Sequence, residues 1–169
     1  FFDIARFNLT DISLQYGKIN LTRLLEQLVY EFRPIFLEKH LTCHLQAPED
    51  LMLRCDANKI QRAFDNLLRN AAIYSDPDTE VEIIVDQEPK NVVIQFRNHG
   101  DPISKENLER IFEQFYRLDM SRSTSSGGAG LGLAIAKKII VLHQGTITAH
   151  CEEDLITFTV TLPLSVGKS

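Results

Sequence analysis

The sequence contains two pairs of short runs rich in β-branched residues, and each pair is joined by a connection of hairpin length. Residues 81–85 are followed by residues 92–96, and residues 146–149 are followed by residues 155–162. Connections this short join antiparallel neighbours, whereas parallel neighbours need a crossover of about a dozen residues or more. The pattern therefore disfavours a doubly wound parallel sheet.

Two longer segments carry apolar residues at helical spacing and predict amphipathic helices. The first begins at Leu21 after the N-cap candidate Asn20. Pro34 is expected to kink it or thin its later turns, which could otherwise run to Lys39. The second begins after the N-cap candidate Asp56 and ends before a turn-like segment at residues 75–78. Both helices have one apolar stripe, so both are expected to pack on a sheet.

The remaining elements complete a mixed architecture. Strands are predicted at residues 42–45 and Met52–Cys55, a short helix runs from Ser104 through Phe112, and helical spacing resumes at Leu131. These elements favour an α/β fold, an α+β two-layer sandwich with one mixed, largely antiparallel sheet and about three helices on one face. The hydrophobic fraction of 44% fits a folded globular domain.

Charge and composition exclude several classes of function. The net charge is -5, and no basic run exceeds two residues, which argues against a nucleic-acid partner. No apolar stretch approaches the roughly 18 residues that suggest a membrane span. Three widely separated cysteines lack zinc-site spacing and are expected to be reduced and packed. Because the chain begins with Phe1 rather than Met, it is expected to be a fragment of a longer protein.

Two asparagines on the second helix suggest chemistry. Asn66 and Asn70 are four residues apart, so they project from the same helix face. Asparagine is a poor residue for a helix interior because its side chain competes for backbone hydrogen bonds. An amide oxygen suits Mg²⁺, and an amide nitrogen can donate to a phosphate oxygen. A solvated polar face is the alternative.

Two glycine-containing segments are candidate ligand contacts. Asn98-His99-Gly100 follows a strand, and the glycine permits a positive φ and a close backbone approach to a flat ligand. An ordinary strand-to-helix turn fits that segment equally well. Residues 125–133 are Ser/Gly-rich and precede a helix, whose free backbone N–H groups attract anions. That segment matches neither a Walker A loop nor G-x-G-x-x-G, and a flexible linker is its alternative.

The segment between these glycines contains aromatic and basic residues. Phe112 and Phe115 are expected in the core rather than against a cofactor. Arg117 and Arg122 flank a loop that could fold over a phosphate, a group that the arginine side chain binds well. Solvated surface charge is the alternative for both arginines.

The order of these motifs resembles the N, G1, F and G2 boxes of sensor histidine kinase ATP-binding domains. The corresponding segments are residues 66–71, 98–100, 112–117 and 128–133, and the resemblance covers about residues 20–163. It implies the Bergerat fold of the wider gyrase, Hsp90 and MutL group (GHKL). Residues 71–75, the Asn-x-Gly form of the second box and residues 116–119 are most similar to the VanS-type sensors of vancomycin-resistance systems.

The resemblance implies an organisation for the parent protein. Residues 1–19 would be the end of a dimerisation helix and a connector, residues 20–165 the ATP-binding catalytic domain, and residues 166–169 a C-terminal tail. The domain would lie in the cytoplasm, and its parent would be a homodimer in the cell membrane. It would donate the γ-phosphate of ATP to a histidine of its own dimerisation domain, for onward transfer to an aspartate of the cognate response regulator.

The resemblance also implies roles for site residues. Asn70 would ligand Mg²⁺, Asn66 would orient the phosphates or a water, and Arg117 would reach the phosphates. Asn98 would accept a hydrogen bond from the adenine amino group, and residues 119–129 would form a lid. The other residues expected to contact ATP are Tyr74, Gly100, Ile103, Gly128, Gly130, Leu131 and Gly132.

Three departures from the family pattern predict weak ATP affinity. Asn98 replaces an aspartate, Pro102 replaces the second glycine of the same box, and Ile73 stands where many relatives carry a phosphate-binding lysine. A charge-assisted hydrogen bond is thereby lost at position 98, at a cost of about 1 kcal/mol. These departures leave open a non-catalytic nucleotide-sensing or interaction module of the same fold.

Two further expectations follow from residues that the sequence lacks. No histidine has the context of the family's phosphoacceptor, so the chain is expected to bind ATP without phosphorylating itself; the five are His40, His44, His99, His143 and His150. A gyrase-like ATPase is disfavoured because Asn66 stands where those relatives carry a general-base glutamate. The neighbouring Asp65 points about 100° away on the helix.

Overall fold

The computed structural model describes residues 13–113 and 132–165. The strands of this part of the chain are β1 (Gly17–Asn20), β2 (Thr42–Gln46), β3 (Met52–Cys55), β4 (Glu80–Gln87), β5 (Asn91–His99), β6 (Thr146–Glu152) and β7 (Leu155–Pro163). The helices are α1 (Leu21–Glu38), α2 (Ala57–Tyr74), α3 (Lys105–Arg110) and α4 (Gly132–Leu142).

The main sheet has five strands in the order β2-β4-β5-β7-β6. Strands β4 and β5 form one antiparallel hairpin and β6 and β7 form another, as their short connections predict. β5 and β7 also pair antiparallel, and only β2 runs parallel to its neighbour β4. The predicted mixed, largely antiparallel sheet is confirmed, and strands β1 and β3 form a separate two-stranded sheet.

One face of the main sheet is covered by helices. Every second residue of β4, β5 and β7 is buried, which is the pattern of a sheet with one packed face and one solvated face. The three long helices α1, α2 and α4 cover that face, and the short helix α3 packs beside β6. Phe64 of α2 contacts Phe96 of β5 at 5.5 Å between ring centroids. The two-layer sandwich predicted from the sequence is confirmed.

The predicted starts of α1 and α2 are also confirmed. The side chain of Asn20 accepts a hydrogen bond from the backbone nitrogen of Arg23 at 3.0 Å. The carboxylate of Asp56 accepts one from Lys59 N at 3.2 Å. Each side chain satisfies a backbone donor that the first turn of a helix leaves without an intrahelical partner.

Three details differ from the sequence-based expectation. The end of the extended connector forms strand β1, which pairs with β3 and places Ile19 opposite Leu53. Helix α1 continues through Pro34, which lies on its exposed side, because the buried Phe32 and Phe36 hold the later turns against the core. Helix α3 ends at Arg110 and does not reach Phe112.

A buried polar cluster joins the connector to two helices. The backbone nitrogen of Gln15 donates to Asp56 Oδ2 at 2.8 Å, and Asp56 N donates to His143 Nε2 at 3.0 Å. His143 Nδ1 in turn donates to the carbonyl of Ile139 at 2.9 Å, which fixes the neutral tautomer. Burial lowers the pKa of His143. The cluster therefore ties the start of α2 to the end of α4.

The three cysteines are free thiols, as expected. Burial raises the pKa of Cys43 and of Cys55 to about 12 in each case. Such thiols stay protonated and unreactive near neutral pH. Separately, no helix in the described parts of the chain has the length and apolar character needed to cross a membrane.

Candidate functional site

A cavity of about 510 Å³ opens at the C-terminal end of α2, where α2, the end of β5 and the segment leading into α3 meet. Its volume lies in the range of cavities that hold small molecules and cofactors. The wall formed by α2 and the following turn consists of Asn70, Ile73, Tyr74, Ser75, Asp76 and Pro77. The other lining residues are Lys39, Asn98, Asp101, Pro102, Ile103, Asn107, Ile111, Ile156 and Phe158.

Two buried polar atoms of the cavity lining have no hydrogen-bond partner among the described residues. They are Ser75 Oγ and Asn98 Nδ2, and each residue is only 3% exposed. A buried polar group without a partner costs free energy, so native proteins rarely keep one unless a ligand or a water satisfies it. Within the described residues both such side-chain atoms belong to this one cavity. Ser75 and Asn98 therefore form a polar edge of the cavity at which a ligand or a water could supply hydrogen bonds.

The apolar part of the cavity suits a flat group. Ile103 before α3 and Ile111 after it are buried, and Ile156 and Phe158 are buried on β7. Tyr74 adds an aromatic ring from α2. A planar heterocycle could lie against these side chains while the buried amide of Asn98 contacts its edge.

Gly100 supports the cavity without lining it. A Cβ atom at this position would overlap the carbonyl oxygen of Tyr74, so only glycine lets the end of β5 approach the end of α2 this closely. Gly100 does not use the positive φ that glycine permits, and the close approach is to Tyr74 rather than to the cavity. Gly100 N donates to the carbonyl of Asp154 at 2.9 Å, which fixes the turn.

Lys39 holds the end of the helix that forms the cavity wall. Its ammonium donates to the carbonyl oxygens of Ala72, Ile73 and Ser75 at 3.1, 2.7 and 2.8 Å. The last carbonyls of a helix have no intrahelical partner and carry partial negative charge, so a cation there is stabilising. Lys39 thereby fixes the helix end next to Tyr74.

Asn66 lies one turn before Asn70 and contacts the start of α4. Its Nδ2 donates to the carbonyl of Gly132 at 3.1 Å, so its oxygen and nitrogen are not interchangeable. Asn66 and Gly132 therefore meet directly, although they are far apart in the sequence. Neither of them lines the cavity itself.

The structure brings together four of the residues predicted to contact a ligand, namely Asn70, Tyr74, Asn98 and Ile103. Gly100 lies behind them, and Asn66 and Gly132 lie beside them. The remaining predicted residues lie outside the described part of the chain; they are Arg117, Gly128, Gly130 and Leu131, together with the expected lid at residues 119–129 and Arg122.

Some lining residues were not predicted from the sequence. Lys39 reaches the cavity from the end of α1, and its only signal was a basic residue at a helix end. Asp76 and Pro77 were assigned only to a turn, and Asn107 only to a short helix. Phe112 lies partly buried against Phe158 at 5.9 Å between ring centroids, in agreement with its predicted core role. Phe115 lies outside the described residues.

No acidic side chain of α2 is available to the cavity among the residues that the structure describes. Asp65 is bonded to Arg69 at 3.3 Å on the helix surface, away from the lining residues. An acid on the cavity face of this helix would be needed to activate water for hydrolysis, so the arrangement does not favour a gyrase-like ATPase.

Comparison with protein families gives a match over residues 55–166. The matching family is described as "Histidine kinase-, DNA gyrase B-, and HSP90-like ATPase". This range begins with the last residue of β3 and contains the whole cavity wall except Lys39.

Two curated relatives are sensor proteins of enterococci. Sensor protein VanSC of Enterococcus gallinarum is 44% identical over 165 residues, which cover 96% of this chain and 45% of that protein. Sensor protein VanS of Enterococcus faecium is 45% identical over 163 residues, which cover 96% of this chain and 42% of that protein. The chain thus spans less than half the length of these relatives, and the narrower resemblance to VanS-type sensors is confirmed.

Solved structures give the same result. The catalytic domain of histidine kinase ThkA superposes with a TM-score of 0.81 at 25% identity, covering 90% of this chain and 100% of that chain. A second ThkA structure, in complex with response regulator protein TrrA, has a TM-score of 0.82 at 24% identity and covers 99% of this chain and 47% of that chain. The fold is therefore that of histidine kinase catalytic domains.

Proposed function

Since the chain belongs to the histidine kinase-, DNA gyrase B- and HSP90-like ATPase family, we propose that it is the catalytic domain of a sensor histidine kinase, which binds ATP and donates its γ-phosphate to a histidine. One observation supports this proposal above the others. The cavity at the end of α2 has apolar walls and two buried polar atoms without partners, Ser75 Oγ and Asn98 Nδ2. A nucleotide base has a flat apolar surface that fits the cavity walls. Its edge also carries polar groups that could supply the missing hydrogen-bond partners.

The base is assigned to the apolar part of the cavity. Tyr74 and Ile103 would contact its faces, and Asn98 its edge. Gly100 acts indirectly, because it permits the approach of β5 to α2 that brings Asn98 next to the cavity. All of these residues meet at the C-terminal end of α2.

The triphosphate is assigned to the asparagine face of α2. Asn70 would hold Mg²⁺ through its amide oxygen, a hard ligand that suits this ion. Asn66, whose Nδ2 is already bonded to Gly132, would orient a water or a phosphate group. When bound, the metal neutralises the phosphate charge, which is the main requirement of phosphoryl transfer. Arg117, Gly128, Gly130, Leu131 and Gly132 are proposed to complete the phosphate site.

The partners of the domain are proposed from its family membership. The phosphoacceptor would be a histidine of the parent's own dimerisation domain, and the parent would be a homodimer in the cell membrane with this domain in the cytoplasm. A response regulator would receive the phosphate next. The complex of ThkA with the response regulator TrrA supports the choice of this downstream partner.

Transfer to a supplied dimerisation domain tests the proposal. The chain is incubated with radiolabelled ATP and Mg²⁺, alone and with the parent's dimerisation segment. We expect acid-labile label on a histidine of that segment and none on the chain alone. Nucleotide binding without transfer would instead support the non-catalytic sensing module, and a stable phosphohistidine on the chain alone would contradict the expectation for this fragment.

A titration calorimetry measurement tests the nucleotide site separately. With a non-hydrolysable ATP analogue and Mg²⁺ we expect binding in the high micromolar range or weaker, because Asn98, Pro102 and Ile73 each remove a family feature. Sub-micromolar binding would contradict this reading of the three departures. Absence of binding would contradict the assignment of the cavity.

A further inference from the structure

No hydrogen bond among the residues that the structure describes fixes the rotation of the buried amide of Asn98. Among the hydrogen bonds of residues 13–113 and 132–165 none involves this side chain, and its Nδ2 is buried without a partner. Rotation by 180° about χ2 exchanges the positions of the amide oxygen and nitrogen at no cost in lost hydrogen bonds. The amide can therefore present either an acceptor or a donor to the cavity that Asn98 lines.

The backbone donors next to Asn98 are already paired and do not compete for its amide. The backbone nitrogen of Asp76 already donates to the carbonyl of His99 at 2.8 Å, and Gly100 N donates to the carbonyl of Asp154 at 2.9 Å. Ser75 Oγ is a hydroxyl without a partner, and a hydroxyl can donate or accept. Both buried side chains at the polar edge of the cavity can therefore either donate or accept a hydrogen bond.

The edge of a purine base distinguishes an acceptor from a donor. Adenine carries an amino group at position 6, which donates, whereas hypoxanthine and guanine carry an oxo group there, which only accepts. A carboxylate at position 98 would accept from the amino group but would face the oxo group with like partial charge. An amide can pair with either group by rotating.

On this basis, and resting on the nucleotide site proposed above, we propose that Asn98 makes the site accept 6-oxopurine nucleoside triphosphates about as well as ATP. Asp76 and Asp101 also line the cavity, but both are exposed. Their charges are screened by water, so they select between bases much less than a buried group does. Base selection is therefore assigned to the buried polar edge, and within it to Asn98, whose amide can exchange an acceptor for a donor by rotating.

A matched pair of nucleotides and one substitution test the proposal. The 169-residue chain is titrated calorimetrically with ATP and with ITP, which differ only in the base groups at positions 6 and 1, at one Mg²⁺ concentration. For the unsubstituted chain we expect dissociation constants within about threefold of each other. For Asn98→Asp we expect a preference for ATP of about tenfold or more, since a buried acceptor then faces an acceptor in ITP.

The outcomes separate this inference from the assignment of the nucleotide site. If the unsubstituted chain binds ATP but discriminates against ITP by tenfold or more, the inference is wrong and the nucleotide site stands. If neither nucleotide binds, both are wrong. A ratio unchanged by Asn98→Asp, in a variant whose circular dichroism spectrum and thermal melting match the original, also overturns the inference.

A third nucleotide keeps the test independent of the variant's folding. Purine riboside triphosphate has no substituent at position 6, so it can neither donate nor accept there. The unsubstituted chain should bind it more weakly than both ATP and ITP, by about threefold or more, because each of those gains one hydrogen bond from the rotated amide. Equal binding of all three nucleotides would show that Asn98 does not read this edge.

Discussion

Buried polar groups lie at both ends of α2, but they differ in whether they have hydrogen-bond partners. At the N-terminal end Asp56 is 3% exposed and fully engaged, with Gln15 N and Lys59 N donating to its carboxylate. At the C-terminal end Ser75 and Asn98 are equally buried, but Ser75 Oγ and Asn98 Nδ2 have no partner. One helix therefore joins a satisfied polar cluster to an unsatisfied one.

Whether a buried polar group has a partner separates structural from functional polar residues at the two ends of α2. A satisfied buried group contributes to stability, and removing it leaves its partners without hydrogen bonds. An unsatisfied buried group costs stability in the free protein and gains its partner when a ligand binds. Substitutions at the N-terminal end should therefore affect folding, and substitutions at the C-terminal end should affect the ligand.

The largest effect is expected for Asn70→Asp. Asn70 lines the cavity and is proposed to hold the metal, and a charged carboxylate would change both the charge and the hydrogen bonding of that position. Phosphoryl transfer to a supplied dimerisation domain should fall by about 100-fold or more, the range found when one preorganised group is removed. Initial rates with radiolabelled ATP measure the effect.

Asp65→Asn is the matched control for that substitution. Asp65 lies on the same helix, and its substitution exchanges an aspartate for an asparagine, the reverse of the change at Asn70. Unlike Asn70, Asp65 bonds Arg69 on the helix surface. Its rate should stay within about twofold of the original, since surface ion pairs contribute little. If both variants lost activity alike, the effect would come from the helix as a whole and not from the cavity.

Asp56→Ala should produce the largest loss of stability. It removes the N-cap of α2 and leaves Gln15 N and the nitrogen of Lys59 without their acceptor. The free energy of unfolding should fall by about 2–3 kcal/mol, measured by urea denaturation. Asp86→Ala, at an exposed position of β4, is the control and should stay within about 0.5 kcal/mol. A similar loss in both variants would remove the distinction between the two ends.

The sequence predicted the elements that depend on local patterns. The caps at Asn20 and Asp56 and the two hairpins rest on residue types at fixed short spacings, and they are confirmed. Strand β1 was missed because its four residues carry no alternation, and its pairing with β3 depends on a contact distant in the sequence. Local signals do not carry information of that kind.

The cavity was predictable only in part for the same reason. Asn70, Tyr74 and Asn98 could be selected by their motifs, and they do line the cavity. Lys39 could not, because its role depends on the tertiary approach of the end of α1 to the end of α2. The unpaired state of Ser75 and Asn98 is likewise a property of the packed structure and not of any motif.

The satisfied cluster also predicts how stability depends on pH. Burial lowers the pKa of His143, an effect that Lys59 assists and that the Ile139 carbonyl and Asp56 oppose. The unfolded chain therefore binds a proton more readily than the folded chain. The contribution of His143 to the free energy of unfolding should be fully present above pH 6.5, the ordinary pKa of histidine. It should be lost as the pH falls below that value, by at most about 1.4 kcal/mol per pH unit.

Substitution at His143 isolates this contribution. Gln does not titrate, so His143→Gln should lower stability at pH 7.5 but flatten the loss between pH 7.5 and pH 5.5. Urea denaturation at the two pH values, with His150→Gln at a position on β6 as control, measures the difference. An identical pH dependence in the original chain and in His143→Gln would contradict the assignment of the slope to this residue.

No loss of stability is expected for Ser75→Ala, at the unsatisfied end. Its hydroxyl has no partner to lose, and its backbone nitrogen keeps the hydrogen bond to the Ala71 carbonyl at 3.0 Å. The free energy of unfolding should not fall and should rise by up to about 1 kcal/mol, because the substitution removes a buried hydroxyl whose desolvation no hydrogen bond offsets. Nucleotide affinity, measured by calorimetry, should instead fall by about threefold to tenfold.

Ser75→Ala and Asp56→Ala together decide whether the two ends of α2 differ in kind. Asp56→Ala should lower stability and leave the affinity of the folded chain for nucleotide nearly unchanged, whereas Ser75→Ala should do the reverse. A loss of more than about 1 kcal/mol in Ser75→Ala would mean that the hydroxyl is already satisfied in the free protein. In that case the unpaired atoms could not be taken as the mark of a ligand site, and the proposal for Asn98 would have to stand on base selectivity alone.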